Sequence, residues 1–381
     1  MNQIISLEAF RAGVYETGYN YRYFVPALIN NQWQWTDGTL NELLEKASIK
    51  LGELNSFARL VPNIDLFIQL HVTKEAVVSS RIEGTQTTMN EALLPFNEIR
   101  PEKRDDWTEV QNYTKALNES ILSLQKLPLS SRLLRQAHGI LMQGVRGEFK
   151  MPGEFRNSQN WIGGASLADA AFIPPSHTLV PGLMSDLEKF LHNSTIKVPA
   201  LIRAGLAHYQ FETIHPFLDG NGRVGRLLIT LYLVGENILE KPLLYLSTFF
   251  ERNRTLYYDN LTKVREKDDL LTWLRYFLVG VEQTATQAVE TLSKVIALKS
   301  NLEAEIPLKF GKRTHTALAL LNYLFARPVI NKADIQSVFG CSKKASNDLV
   351  NSFVEHGYIK EVTGHIRNQV FLFHRYTDLF E

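Results

Sequence analysis

Apolar residues recur at intervals of three and four along most of this chain, which predicts a mostly helical protein. Leu40, Leu43, Leu44, Ala47, Leu51, Leu54 and Phe57 mark a first helix. A second is predicted over residues 64–83, stopped by Gly84. Further helices are predicted over residues 107–124, 130–143, 183–191, 199–211 and 227–235, with one or two long amphipathic helices over 268–302. The period fails in two places. Before residue 40, Tyr15, Tyr19, Tyr21, Tyr23, Phe24, Trp33 and Trp35 crowd a stretch punctuated by Pro26 and Asp37-Gly38, which predicts an extended arm packed on a surface. The Gly- and Pro-rich segment 147–181, with short apolar pieces, predicts a hairpin.

The pattern changes again after Ile306-Pro307, a predicted break and domain boundary. Leu318, Leu320, Leu321 and Leu324 mark one helix, residues 332–339 a second and 343–356 a third. A hairpin then forms from 358–362 and 368–373 around Thr363-Gly364. That order resembles a winged helix-turn-helix. On such a fold Ser342, Lys343, Lys344, Ser346 and Asn347 face a DNA groove and Arg367 lies on the wing. Protein contact or dimerisation, a homodimer included, is the equal alternative, because this surface is only modestly basic.

Composition narrows the picture. A hydrophobic content of 45% and a charged content of 21% are ordinary for a globular protein. A formal net charge of +1 gives no global attraction to nucleic acid. The single cysteine, Cys341, permits neither an internal disulfide nor a multi-cysteine zinc site. The first five residues lack a leader-like pattern, and no run of about 18 apolar residues occurs, so a cytoplasmic protein without membrane association is expected.

The candidate chemistry gathers in one polar loop between two apolar helices, running from His215 to Arg226. Gly220-Asn221-Gly222 frees the backbone to turn successive N–H groups toward one point at a helix start, an anion nest suited to phosphate. Arg223 and Arg226 are three apart and share a helical face, where both guanidinium forks can grip phosphoryl oxygens. Asp219 is a hard oxygen ligand of the kind Mg²⁺ uses beside substrate phosphates. His215 has a side chain suited to taking a proton near neutral pH. His208 and His177 have no ligand partner at metal spacing and read as a core and a loop histidine.

This loop resembles the Fic family signature HxFx(D/E)GNGRxxR at His215, Phe217, Asp219, Gly220, Asn221, Gly222, Arg223 and Arg226. The resemblance implies a helical enzyme that moves AMP from ATP to a Tyr, Thr or Ser hydroxyl of a target protein, the chain itself being one candidate target. It implies that His215 is the base, that Asp219 holds Mg²⁺, that the Gly220–Gly222 nest with Asn221 binds the α- and β-phosphates, and that Arg226 orients the γ-phosphate. Phe217 would anchor the loop. Gly222 stands where the related Doc branch has Lys, which favours nucleotidyl transfer over phosphotransfer.

Further positions follow from the same resemblance. Ser79-Ser80-Arg81-Ile82-Glu83-Gly84 resembles the (S/T)xxxE(G/N) inhibitory motif, which implies that Glu83 pairs with Arg226 and blocks the productive pose of ATP. Glu83 also sits at a helix end whose dipole disfavours a carboxylate. The 147–181 segment corresponds to the family's flap, with Ile162 and Ile173 near the target side chain. Tyr258 and Leu261 are candidates for an adenine wall, with ordinary core packing as the alternative.

The expected organisation is thus a regulatory region at 1–97, a Fic-type helical core with a small β-hairpin flap at 98–285, a connecting helix at 286–305 and a winged-helix module at 306–381. Two other functions stay open: removal of AMP from modified proteins, and a DNA-binding regulator whose core senses nucleotide.

Overall fold

The computed structural model of the chain describes residues 4–61 and 64–380. Residues 1–3, part of the stretch read for a leader, and residues 62, 63 and 381 lie outside them. Four short strands open the chain: β1 (Ile4–Ser6), β2 (Gly13–Thr17), β3 (Arg22–Pro26) and β4 (Gln32–Gln34). β1 pairs in parallel with β4 and β2 antiparallel with β3, so the predicted arm is two small ribbons. Aromatic burial holds them in place. Trp33 is buried and its Nε1 donates to the Ile29 carbonyl at 3.0 Å, while buried Phe24 packs on Phe172.

Helices follow: α1 (Gly38–Leu60), α2 (Asp65–Ile82), α3 (Met89–Leu93), α4 (Arg104–Leu124), α5 (Ser131–Leu141) and α6 (Val180–His192). Next come α7 (Ala200–Ile214), α8 (Asn221–Gly235), α9 (Ser247–Arg252), α10 (Arg254–Lys267) and α11 (Leu270–Phe310). Several starts are fixed by side chains that satisfy orphan N–H groups. Asp37 accepts from the Leu40 N–H at 2.5 Å, and Thr88 and Glu91 form a capping box. α2 stops at Gly84, whose φ of 110° suits a residue without a Cβ.

The centre is α7. Every residue from Leu201 to Ile214 is buried, as expected of a helix that is apolar on most faces. It packs on α6, α8 and α11, and α8 packs in turn on α2, α4 and α5. The loop joining α7 to α8 is therefore held by two core helices.

The 147–181 segment is less regular than the predicted hairpin. It contains a single antiparallel bridge, Ile162 with Phe172, closed by N–H···O bonds of 2.8 and 3.1 Å. Asp169 folds the turn by accepting from the Ala165 and Ser166 N–H groups. Side-chain to backbone bonds replace the ladder that a longer hairpin would have.

The break expected at Ile306-Pro307 does not occur. α11 runs through both residues and ends at Gly311, with Pro307 in its last turn. Ile306 and Phe310 are buried on either side of it, so packing outweighs the lost N–H. The connecting helix is the second half of α11, not a separate element. Beyond it lie α12 (Thr314–Ala326), β5 (Val329–Asn331), α13 (Lys332–Phe339), α14 (Lys343–Glu355), β6 (Lys360–Glu361), β7 (Val370–Leu372) and α15 (His374–Thr377). The strands form one antiparallel sheet in the order β5-β7-β6, with β5 an addition to the predicted hairpin. Phe325 and Tyr376 pack edge-on against Phe67, and Phe380 against His71, which seats this module on α2.

Candidate active site

Residues 215–220 connect α7 to α8 under tight constraint. His215 ends α7 in the left-handed region, with φ 50° and ψ 61°, uncommon for a residue with a Cβ. Its N–H donates to the Phe211 carbonyl at 2.9 Å, and its own carbonyl accepts from Arg156 Nε at 3.0 Å. The remaining Arg156 donors go to the carbonyls of Ser158, Pro175 and Ile214. One buried guanidinium thus ties the 147–181 segment to the end of α7.

Phe217 is fully buried and stacked on His138, centroids 3.9 Å apart. Asn221 clasps its backbone, Oδ1 accepting from the Phe217 N–H and Nδ2 donating to the Phe217 carbonyl, both at 2.8 Å. His138 Nδ1 accepts from the Gly153 N–H at 2.9 Å, which leaves Nε2 to donate to the Asp219 carbonyl at 3.1 Å. The Asn221 side chain is therefore occupied by the loop itself. What residues 221–223 have left for an anion is the row of N–H groups at the start of α8.

The two arginines part company. Arg226, almost wholly buried, donates from Nη2 to Glu83 Oε1 at 2.6 Å and to the Ser79 carbonyl at 2.9 Å, and from Nε to Ser79 Oγ at 2.9 Å. Arg223 points elsewhere and pairs with Glu109 of α4 at 2.9 Å, both buried. The shared helical face did not determine their use, because α4 supplies a carboxylate on one side and α2 another.

Beside the loop lies a cavity of about 500 Å³. Glu83, Glu212, His215, Gly222 and Arg226 line one part of it, and Trp161, Ile162, Phe172, Tyr257, Tyr258, Leu261, Thr262 and Arg265 most of the rest. Of the expected residues, Ile162, Tyr258 and Leu261 are in the wall. Ile173 is not: neighbouring residues in extended chain face opposite ways, so Phe172 takes the place, while the Ile173 carbonyl accepts from the Phe24 N–H. Asp219, Gly220, Asn221 and Arg223 are also absent from the wall, so Gly222 alone represents the start of α8 there. Gly84 lies just past Glu83 and ends α2.

Burial shapes the electrostatics. His215 is held down to about 3, first by desolvation and then by Arg265 and Arg156, so the ring is neutral at pH 7; its Nδ1 is buried without a partner. Burial works to raise Glu83, yet the Arg226 charge and hydrogen bond outweigh it and keep the carboxyl ionised. Burial lifts Glu212 to about 7.

A neutral imidazole at a left-handed helix end, the N-terminus of α8 and a buried guanidinium thus meet around one cavity, chemistry suited to an anion. Residues 41–122 match the model of the Fic/DOC family N-terminal region and residues 128–233 that of the Fic/DOC family. The chain carries both Fic/DOC family domains. It is 26% identical over 203 residues to a probable protein adenylyltransferase of Aquifex aeolicus, covering 53% of this chain and 58% of that protein. It is 30% identical over 159 residues to the protein adenylyltransferase Fic of Drosophila melanogaster, covering 41% and 28%. The chain thus spans between about a quarter and three fifths of these relatives' lengths. The fold resembles that of a Fic family protein from Desulfovibrio desulfuricans, with a TM-score of 0.57, 20% identity and coverage of 89% of this chain and 96% of that one.

Within this Fic core Asp219 is the one acidic side chain of the signature loop. It is half exposed, and Oδ1 accepts from the Gly220 N–H at 2.6 Å. No cluster of three His, Cys, Asp or Glu side chains stands ready for a metal among the described residues. A lone exposed carboxylate beside a phosphate nest fits Mg²⁺ that arrives with a nucleotide, and does not fit a resident ion. Among the described residues no helix is long and apolar enough to cross a membrane.

Several residues of the site escaped the reading of the sequence: Glu109, His138, Arg156, Glu212, Arg265 and Asn160, whose Nδ2 donates to the Phe217 carbonyl at 2.9 Å. Each lies outside the signature, and only the fold brings it to the loop. The one sequence signal was a carboxylate, Glu212, inside a helix buried along its whole length.

Proposed function

We propose that this chain is a protein adenylyltransferase that moves AMP from ATP to a hydroxyl of a target protein, held back by Glu83. The observation that carries the reading is the juxtaposition, around one cavity, of the neutral His215, the N-terminus of α8 and Arg226. The names of the Aquifex and Drosophila relatives support it.

In this reading the α8 N–H groups of residues 221–223 and the Arg226 fork hold the phosphates. Asp219 would hold Mg²⁺ together with those phosphates, where the ion neutralises charge on them. His215 accepts the hydroxyl proton as the target oxygen attacks the α-phosphorus. The new bond forms opposite the breaking bond to the β-phosphate oxygen, and pyrophosphate leaves. The bridged backbone at Ile162 offers the target an extended edge. Tyr258 and Leu261 give the base an apolar wall.

Glu83 fills the Arg226 fork in this structure, so a γ-phosphate and Glu83 compete for one guanidinium. The carboxylate would also repel that phosphate. Autoinhibition is the reading this contact supports. The module after α11 is read as a winged helix on its helix and strand order, with DNA or protein as its partner.

The test is label transfer from ATP marked at the α- or the γ-phosphate, using the Glu83→Gly protein with a soluble protein extract as acceptor. α-label alone on protein is expected. γ-label on protein would replace the reading with phosphotransfer.

A further inference from the structure

Two glycines of α8, one turn apart, each make room for a carboxylate. A Cβ on Gly222 would collide with Glu83 Oε1, and a Cβ on Gly225 would collide with Glu212 Oε1. The two acids therefore lie along one bare face of α8, and both line the cavity. Their bonding is opposite. Glu83 has Arg226, whereas Glu212, 6% exposed, forms no ion pair among the described residues, and its Oε1 has no hydrogen-bond partner. The nearby cations are engaged: Arg226 by Ser79 and Glu83, and Arg265 by Thr213 Oγ1 and the face of Phe172, 3.9 Å from its centroid.

A buried acid without a partner is costly, and one in the wall of a cavity, with only Oε1 packed on Gly225, marks a place where a ligand can complete the bonding. Donor and acceptor chemistry narrows that ligand. Phosphate oxygens bring acceptors and negative charge, so Glu212, ionised above the value of about 7 to which burial lifts it, rejects them. The donors on a ribonucleotide are the sugar hydroxyls and the base amine. Glu212 is electrostatically adjacent to Arg226 and Glu83 of the anion-handling part and to Arg265 and Tyr257 of the aromatic part. The sugar is the piece of a nucleotide that covalently joins those two parts.

We propose that Glu212 is a specificity-determining residue whose carboxylate accepts hydrogen bonds from the ribose hydroxyls of the bound nucleotide. This rests on the nucleotide reading of the cavity. It adds a selection of ribo- over deoxyribonucleotides made by α7, apart from the signature loop.

The experiment is calorimetric titration at about pH 8.5, where Glu212 is ionised, of the full Glu83→Gly chain, alone and with Glu212→Ala or Glu212→Gln, using ATP, 2′-deoxy-ATP and 3′-deoxy-ATP without magnesium. ATP should bind the Glu83→Gly chain on the order of tenfold more tightly than at least one deoxy analogue, the worth of a hydrogen bond to a charged group. Glu212→Ala should level the three affinities, and Glu212→Gln should narrow the ratio. Because the readout is a ratio within each protein, a general loss of packing cannot imitate it. Equal binding of all three nucleotides to the Glu83→Gly chain, or an undiminished ratio in Glu212→Ala, would overturn the proposal. Failure of ATP to bind at all would remove the nucleotide reading along with it. A normal ratio in a protein that transfers nothing would sink the transferase reading alone.

Discussion

Glu83 and Arg226, 143 residues apart, meet at 2.6 Å where the end of α2 crosses the first turns of α8. Arg226 also donates from Nε and Nη2 to Ser79, one turn earlier, so these bonds all go to the end of α2. Glu83→Gly should lower stability by about 1–3 kcal/mol, because a buried guanidinium loses its carboxylate. The same change should tighten ATP binding, as the fork becomes free for phosphate. Chemical denaturation and calorimetry on one preparation check both signs.

Arg156 offers a separation of binding from chemistry. It holds the His215 carbonyl and the Pro175 carbonyl but does not line the cavity. Arg156→Lys cannot reproduce the four-carbonyl fork. In the Glu83→Gly background, kcat should fall by roughly tenfold to a hundredfold from a displaced base, with KM for ATP little changed. Steady-state kinetics at varied ATP decides it.

Arg223 and Arg226 should fail differently. Arg223→Met leaves Glu109 buried beside only Arg146, so a stability loss of about 3 kcal/mol is expected. ATP affinity should fall far less than in Arg226→Met, which removes the proposed phosphate clamp. Melting curves and nucleotide titrations of the two variants provide the comparison.

Acid should destabilise the fold before the carboxylates titrate. Desolvation holds His71, His208 and His215 at about 3 and His138 at about 4. Each folds neutral and must stay neutral, so its contribution is complete above the unfolded value near 6.5 and shrinks as pH falls toward those folded values. Glu75 and Glu212, raised to about 7 by burial, act the other way: their contribution is present below about 4.5 and is lost as pH rises through 7. Four groups oppose two, so melting temperature should fall between pH 6.5 and 5. A flat profile across that range would contradict the neutral burial of these histidines.

Most helices were legible from packing along one face, but α3, α9 and α10 were not, although α10 buries Tyr257, Asn260, Leu261 and Val264 on one side. α13 has the predicted bounds, and α7, whose apolar residues are interrupted by Arg203, His208, Gln210, Glu212 and Thr213, is nevertheless buried from Leu201 to Ile214. The signature loop was legible because its chemistry is consecutive. Partners supplied by distant elements were not. Nothing in the spacing of Arg223 and Arg226 reveals that α4 brings Glu109 to the first, and Glu212 carries no motif. Ile173 shows a parity error of one residue in a segment where the pairing is a single bridge. Pro307 shows a local rule overridden by the burial of Ile306 and Phe310.

The central claim is AMP transfer by His215 under restraint by Glu83, and the most direct measurement is α-label from ATP and Mg²⁺ on protein in a soluble extract. Three proteins are compared: the unaltered chain, Glu83→Gly, and Glu83→Gly with His215→Ala. The account predicts strong labelling by Glu83→Gly, weak labelling by the unaltered chain and none above background by the double variant. Labelling by Glu83→Gly no greater than by the double variant would contradict it.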